Sequence, residues 1–333
     1  MNDRNGRIGF GFIGCGGIHN NHAPHIVAHE DAYIACAMDV NEDAVKAHQE
    51  KYGTECGTTD LDHLLNHEEV EAVVVCTPTG FHPDQVVAAA EAGKHVFCEK
   101  PMAMSVAEAK RMAQACEDNE VLLQIGFVRH FCNEWLTLRE LIQDGAIGRP
   151  VVWRSVSGGS GAPTPWFFDR EIGGGPFIDG AVHNYDFARF TFGEATQVCA
   201  NLRHMKDIGD AWDTGTAVVD FESGDQLIMC WSWGLPGHGR DVRADGAHDV
   251  LGPKGAIVFT GEDALAVRTR GEERLVQYEA ESGADWFRRQ MAHFIDCLQS
   301  GDSPCPGARE GIEATRIAEA VLSIGDNPAV VEL

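Results

Sequence analysis

Two groups of residues in this 333-residue chain have types and spacings suited to chemistry. The first is the stretch 8–22, IGFGFIGCGGIHNNH, in which an apolar run breaks into Gly14, Gly16 and Gly17. A strand that ends in a glycine turn and opens into a helix is an anion site. Glycine lets backbone approach a phosphate, and the helix N-terminus presents unpaired N–H groups and a partial positive charge. The dinucleotide pattern G-x-G-x-x-G is met at Gly14 and Gly16 and departs at its third position, where His19 stands. Asp39 lies 20 residues beyond His19, where such folds place the acid that holds both adenosine ribose hydroxyls. Its carboxylate repels a 2′-phosphate, and Val40 and Asn41 behind it bring no arginine, so Asp39 favours NAD over NADP. The competing role for Asp39 is a helix cap ahead of 41–43. The second group is Asp179, His183 and Asp186, at i, i+4 and i+7, which places two carboxylates and an imidazole on one face of an expected helix.

These groups need elements to position them. Apolar runs at 8–13, 32–38, 72–76, 95–98 and 121–125 alternate with helical patterns at 42–52, 61–66, 81–92 and 105–119. The valine-rich run 72–76 is typical of a strand buried on both faces, and Ser105 with Glu108 forms a capping box. Alternation of this kind predicts a doubly wound parallel sheet, with ligands beyond the carboxyl ends of its strands. From residue 195 the period changes to two. Strands are expected at 196–204, 214–221, 226–233 and 256–260, with a hairpin turn at 222–225, which predicts an antiparallel sheet. Helices at 134–144, 285–299 and 310–323, a strand at 150–157 and a terminal strand at 329–333 complete an α+β second domain. The expected fold is an N-terminal Rossmann domain, 1–127, and a C-terminal α+β domain with a large, mostly antiparallel sheet, 128–333.

Composition narrows the function. A formal charge of −25 argues against nucleic acid and anionic membrane as partners. No apolar run approaches the ~20 residues of a membrane span, and the first residues, MNDRNGR, lack a signal-peptide core, so a cytoplasmic protein is expected. The 11 cysteines include no C-x-x-C pair and point to reduced core thiols. Fifteen histidines invite a metal reading. His22 and His25 share helical spacing but have no carboxylate or cysteine cluster beside them, and no metal is expected.

The segments GCGGIHNNH, the acid Asp39, CTPTGFH (76–82) and CEKPMAMSVAEA (98–109) together resemble the Gfo/Idh/MocA oxidoreductases, a family that includes inositol dehydrogenase and glucose–fructose oxidoreductase. The EKP tripeptide is the most specific of these signals, and the resemblance covers nearly the whole chain. It implies NAD contacts at Gly14, Cys15, Gly16, Gly17, Ile18, Asp39, Thr77, Pro78, Thr79, His82, Glu99, Lys100 and Trp166. It also implies that Asp179 and His183 meet the substrate, with Asn184 standing where many members have Asp. In that reading Lys100 donates to the reacting oxygen, His183 is the base, and Asp179 binds a neighbouring hydroxyl or orients the imidazole. Pro101 is expected to form a cis turn that aims Lys100. Arg129, His130, His238 and Arg240 are candidate substrate contacts in loops near the entrance of the second domain, and Trp166 is a candidate wall for a ring. Each residue also has a duller role open to it: Lys100 a surface lysine, His183 and Trp166 core residues, Asp179 a helix cap.

The resemblance implies an NAD-dependent dehydrogenase of a sugar, sugar derivative or cyclitol, assembled as a homodimer or homotetramer through the second sheet. An NAD-assisted glycosidase, acting by transient oxidation and elimination, is the alternative. A non-catalytic NAD-binding regulator is the third reading, against which Lys100, Asp179 and His183 speak.

Overall fold

The computed structural model describes residues 6–239 and 241–333. Its first sheet contains β1 (Ile8–Ile13), β2 (Ala32–Met38), β3 (Cys56–Thr58), β4 (Ala72–Val75), β5 (His95–Cys98) and β6 (Leu123–Ile125). All pairings are parallel and the order is 3-2-1-4-5-6, so the order reverses between β1 and β4. The crevice at such a reversal is where doubly wound sheets take their ligands. The helices are α1 (His19–Val27), α2 (Glu42–Tyr52), α3 (Leu61–Leu65), α4 (His82–Glu91) and α5 (Val106–Asp118). The expected capping box operates at α5, where Ser105 Oγ accepts from the Glu108 N–H at 3.3 Å. At α2 the cap is Asn41, whose side chain accepts from the Asp43 N–H. Asp39 is therefore not needed as a cap.

The second sheet follows α6 (Asn133–Gln143) and has nine strands among the described residues. They are β7 (Val152–Gly159), then, after α7 (Val182–Phe192), β8 (Ala195–Arg203), β9 (Thr214–Phe221), β10 (Gln226–Ser232), β11 (Arg243–Gly252), β12 (Gly255–Phe259), β13 (Ala264–Thr269) and β14 (Glu272–Gln277). Helices α8 (Gly283–Ser300) and α9 (Ala308–Ile324) precede the last strand, β15 (Ala329–Glu332). Among the described residues of this sheet only β7 and β10 pair in parallel; the other pairs are antiparallel. Register separates the two faces. Val198, Val219, Leu227, Trp153, Val250, Ile257 and Val267 lie in one row and are buried. The adjacent row, Val330, Cys199, Val218, Ile228 and Arg154, lies on the opposite face and is exposed or half-exposed.

The chain separates into two compact units, the first of which takes in a stretch beyond the expected 1–127. One unit is the chain up to Phe131 together with Ser282–Ile312, and the other is Cys132–Glu281 with Glu313–Leu333. The cause is α8, which returns to the first sheet. Its Met291, Phe294 and Ile295 join Phe10, Phe12, Phe97, Ala23 and Ile26 in one fully buried cluster. Phe294 meets the rings of Phe10 and Phe97 edge-on. No local pattern in the sequence announces that return.

Two expectations are corrected. Cys36 and Cys56, expected as reduced thiols, form a disulfide. β3 is only three residues long and leaves no strand signal in the sequence, and register sets Cys36 directly opposite Cys56. The helix expected to carry Asp179 begins only at Val182. Asp179 stands in the turn before it, where the N–H of Asp179 donates to the Gly175 carbonyl and the N–H of Ala181 to Pro176. The N-cap position is Ala181 and makes no side-chain capping bond, so Asp179 is not the cap.

Candidate active site

The glycine turn joins β1 to α1. Gly14 has φ +94°, and a Cβ there stands 2.9 Å from Thr77 Cγ2 and 3.0 Å from the Cys76 carbonyl carbon. Glycine is thus what lets the turn lie against the end of β4. Gly16 and Gly17 differ, because a Cβ on either meets no protein atom within 4 Å. The fold does not demand glycine at these two positions, and the space they leave open lies before the N-terminus of α1, where Ile18 supplies no side-chain cap. Open space beside uncapped N–H groups fits a diphosphate.

Asp39 is tied directly to this turn. Its Oδ2 accepts from the Cys15 N–H at 2.7 Å and its Oδ1 from the Asn41 N–H at 2.8 Å. The Cys15 thiol is buried and pushed up to about 12, by burial first and then by the Asp39 charge, so it stays protonated. His19, the departure from the glycine pattern, turns inward. It is 4 % exposed and its Nδ1 bonds the Gly16 carbonyl. Its ring packs against Phe12, His48 and Tyr52. Burial lowers its pKa, so it stands as a neutral ring beneath the turn and not as a phosphate ligand.

The loops after β4 and β5 are joined by His82. Its Nε2 faces the Thr77 carbonyl at 2.8 Å and its Nδ1 the Pro101 carbonyl at 2.9 Å. Burial lowers its pKa, and the two carbonyls and the Glu99 charge oppose that shift. Carbonyls only accept, so the neutral ring donates to one of them at a time. The Lys100–Pro101 peptide is cis, as expected. Lys100 is half-exposed, whereas Glu99 is 4 % exposed. Glu99 Oε2 accepts from the Lys100 N–H at 3.1 Å, and Oε1 accepts from His22 Nε2 at 2.6 Å. Thr77 and Pro78 are half-exposed at the same strand ends, while Thr79 is buried at 2 % in a 3-10 turn.

In the second unit, Asp179 and His183 are half-exposed, and Asn184 and Asp186 behind them are buried. Gly180 lies between the pair, and a Cβ on it falls 2.4 Å from Trp231 Cζ3. The Trp231 indole N–H donates to Ser155 Oγ at 3.2 Å, and the Asn184 amide donates to the same oxygen at 2.9 Å. Asn184 therefore pins the sheet residues that back the Asp179–His183 segment. Trp166 is half-exposed in a 3-10 turn, Pro165–Phe168, and stacks on Phe167, so it is not a core tryptophan.

Arg129 and His130 occupy the 3-10 turn Val128–Phe131, which belongs to the first unit. His238 is exposed, its N–H donating to Asp241; Arg240 lies outside the described residues. Nothing local in the sequence marks His22, Trp231 and Ser155 for these roles, because their partners are distant in sequence: Glu99 is 77 residues from His22, and Ser155 is 76 from Trp231. No group of three or more metal-ligating side chains occurs among the described residues.

Residues 8–127 match the oxidoreductase family model with an NAD-binding Rossmann fold, and residues 135–258 match the GFO/IDH/MocA C-terminal domain. The chain is 33 % identical to myo-inositol 2-dehydrogenase of Thermotoga maritima, over 90 % of this chain and 91 % of that protein. It is 31 % identical to 2,7-anhydro-N-acetylneuraminate hydratase of Mediterraneibacter gnavus, over 84 % of this chain and 75 % of that one. A crystal structure from Thermotoga maritima, described as a probable dehydrogenase, superposes with a TM-score of 0.79 at 30 % identity, covering 98 % of this chain and 99 % of the other. The chain belongs to the GFO/IDH/MocA family of oxidoreductases, and its first domain is an NAD-binding Rossmann domain.

Proposed function

We propose that the protein is an NAD-dependent dehydrogenase that oxidises a secondary alcohol of a cyclitol, sugar or sugar derivative. The observation that carries this reading is the half-exposed Lys100 on a buried, hydrogen-bonded Glu99, at the carboxyl end of a strand in an NAD-binding domain. A lysine presented on so tightly fixed a backbone is placed for a task. The likeness to a myo-inositol 2-dehydrogenase supports a polyhydroxylated ring as substrate.

In this reading, the N–H groups at Gly16, Gly17 and Ile18 bind the diphosphate, and Asp39 binds the adenosine ribose hydroxyls. NAD, when bound, supplies the hydride acceptor. The Lys100 ammonium donates to the reacting oxygen and stabilises its developing negative charge. His183 takes the hydroxyl proton, a task suited to a group whose ordinary pKa of about 6.5 lies near neutral pH. Asp179 binds an adjacent hydroxyl, and Trp166 offers a flat apolar face to ring C–H groups. The exposed face of the second sheet, with Val156, Leu251, Leu275 and Val330 uncovered, supports assembly into a homodimer or homotetramer.

A second reading is a reaction with no net oxidation, such as NAD-assisted cleavage of a glycoside. The likeness to a hydratase favours keeping it, since that relative's named reaction is not a dehydrogenation. One experiment separates the two. The protein is incubated with NAD+ and a panel of inositols, sugars and glycosides, and NADH absorbance is read beside product analysis. Stoichiometric NADH with a ketone product supports the dehydrogenase. Aglycone release with no NADH supports the second reading, and neither signal across the panel removes both.

A further inference from the structure

His22 lies one turn into α1, the helix whose N-terminus faces the open space beside Gly16 and Gly17. Its side chain is fully buried. The ring is held by Phe97 of β5, with centroids 4.9 Å apart, and by Phe287 of α8, at 5.1 Å. Its Nε2 donates to Glu99 Oε1 at 2.6 Å, and the other oxygen of that carboxylate accepts from the Lys100 N–H at 3.1 Å. The space for the carboxylate exists because residue 126 is glycine: a Cβ there comes within 3.1 Å of Glu99 Cδ and Oε1. The Glu99 backbone is fixed as well, its N–H donating to the Val75 carbonyl.

A buried carboxylate is costly unless it is fully bonded. Burial alone pushes the Glu99 carboxyl up; the His22 bond and charge, with the charge and N–H of Lys100, hold it below its ordinary value. The bonds at Glu99 are accordingly charge-assisted, short and directional. Two of them in series connect the first turn of α1 to the peptide that carries Lys100. A helix is stiff along its axis, so what fixes α1 also fixes the Glu99–Lys100 peptide.

We propose that His22 is a positioning residue for Lys100: through Glu99 it locks the Lys100 peptide to the diphosphate-binding end of α1, so that seating the cofactor and aiming the lysine are one event. The role given to Lys100 rests on the function proposed above, whereas the coupling between α1 and residues 98–104 does not. His22 touches neither substrate nor cofactor in this arrangement. Its contribution is to the angle at which the ammonium is presented, and small misplacements of a reacting group lower rates steeply.

The test uses the full-length protein with NADH as the probe. Amide hydrogen exchange is followed in peptides covering 98–104, with and without NADH, in the wild type, His22→Leu, His22→Gln and Glu99→Gln. NADH titrations and kinetics with a turned-over polyol run in parallel. In the wild type, NADH slows exchange at 98–104. In His22→Leu, NADH binds within about twofold of wild type, the slowing at 98–104 is lost, and kcat falls roughly 10- to 100-fold at little-changed KM. His22→Gln, which keeps a donor for Glu99, recovers most of both signals, a rescue that a general loss of stability does not produce. Should His22→Leu fail to fold, Glu99→Gln carries the test, because it keeps an acceptor for the Lys100 N–H and removes the charge that strengthens the chain of bonds. Partial loss of the slowing in Glu99→Gln supports the coupling. Wild-type slowing and wild-type kcat in His22→Leu, or equal defects in the Leu and Gln variants, overturn the proposal. A wild type that shows the slowing but turns over no polyol removes the dehydrogenase reading and leaves the coupling supported.

Discussion

The Cys15 N–H donates to Asp39 Oδ2 at 2.7 Å, so the carboxylate that reads the ribose in the proposed site also shapes the turn that receives the diphosphate. Removing it acts on both. Asp39→Ala is expected to weaken NADH binding roughly 10- to 100-fold, the range for losing a hydrogen bond to a charged group. Because the turn loosens as well, that variant gains no tight NADP binding. Titration of NADH and NADPH by fluorescence checks both statements, and unchanged NADH affinity contradicts the assignment of Asp39.

The glycines separate into structural and ligand-facing ones. A Cβ on Gly9 meets the Glu69 carbonyl oxygen at 1.8 Å, whereas one on Gly16 meets nothing within 4 Å. Gly9→Ala is expected to destabilise the protein by about 3 kcal/mol or more, through overpacking against backbone that has nowhere to move. Gly16→Ala is expected to keep its stability and lose NADH affinity, since the added methyl enters the space proposed for the diphosphate. Thermal melts beside NADH titrations distinguish these outcomes, and tight NADH binding by Gly16→Ala places the diphosphate elsewhere.

Lys100→Ala and His183→Ala are each expected to lower kcat by roughly 10²- to 10⁴-fold, the scale of positioned proton transfer. NADH still binds, because the glycine turn and Asp39 are untouched. Asp179→Asn keeps its capacity to hydrogen-bond a hydroxyl and is expected to lose less. Rapid-mixing and steady-state rates with the polyol found by the panel check the order. A Lys100→Ala enzyme running at the wild-type rate excludes the lysine from the chemistry.

Most of the first sheet is legible because its strands are largely apolar runs closed by a glycine, proline or polar turn; 8–13, 32–38 and 95–98 are read to the residue, whereas β3, CGT, carries no such run. Three strands of the second unit, Arg243–Gly252, Ala264–Thr269 and Glu272–Gln277, fall outside the strands that the sequence pattern predicts. The first carries charge and glycine and the last, EERLVQ, opens on three charged residues where alternation is sought, and the middle one, ALAVRT, lacks strict alternation. The place of Lys100 just beyond the carboxyl end of β5 follows from a local motif. The bond between His22 and Glu99 did not, since it joins residues that only the packing of α1 on β5 brings together. His19 shows the same limit: the motif shows only that a histidine stands at its third position, and packing alone sets the ring between β1 and α2.

That buried ring has a companion whose titration bears on stability. His48 is 1 % exposed, with Nε2 3.0 Å from Thr54 Oγ1 and its ring 5.3 Å from that of His19. Burial, then the nearby His19 and Lys51, lowers its pKa from 6.5 to about 4. The unfolded chain therefore takes up a proton below about pH 6.5 that the folded chain refuses until about pH 4. Stability from this group is full above the upper value, falls as the pH drops between the two, and levels off below the lower. At 1.36 kcal/mol per pKa unit the loss approaches about 3 kcal/mol. His19 shifts in the same direction and adds to it. His48→Gln keeps a donor for Thr54 and removes the titration, so its urea-unfolding free energy declines less between about pH 7 and pH 4.5, by roughly 2 kcal/mol. Because both rings underlie the glycine turn, the wild type is expected to lose NADH binding over the same interval before its global unfolding. Parallel pH profiles for the wild type and His48→Gln show that this ring contributes nothing to acid lability.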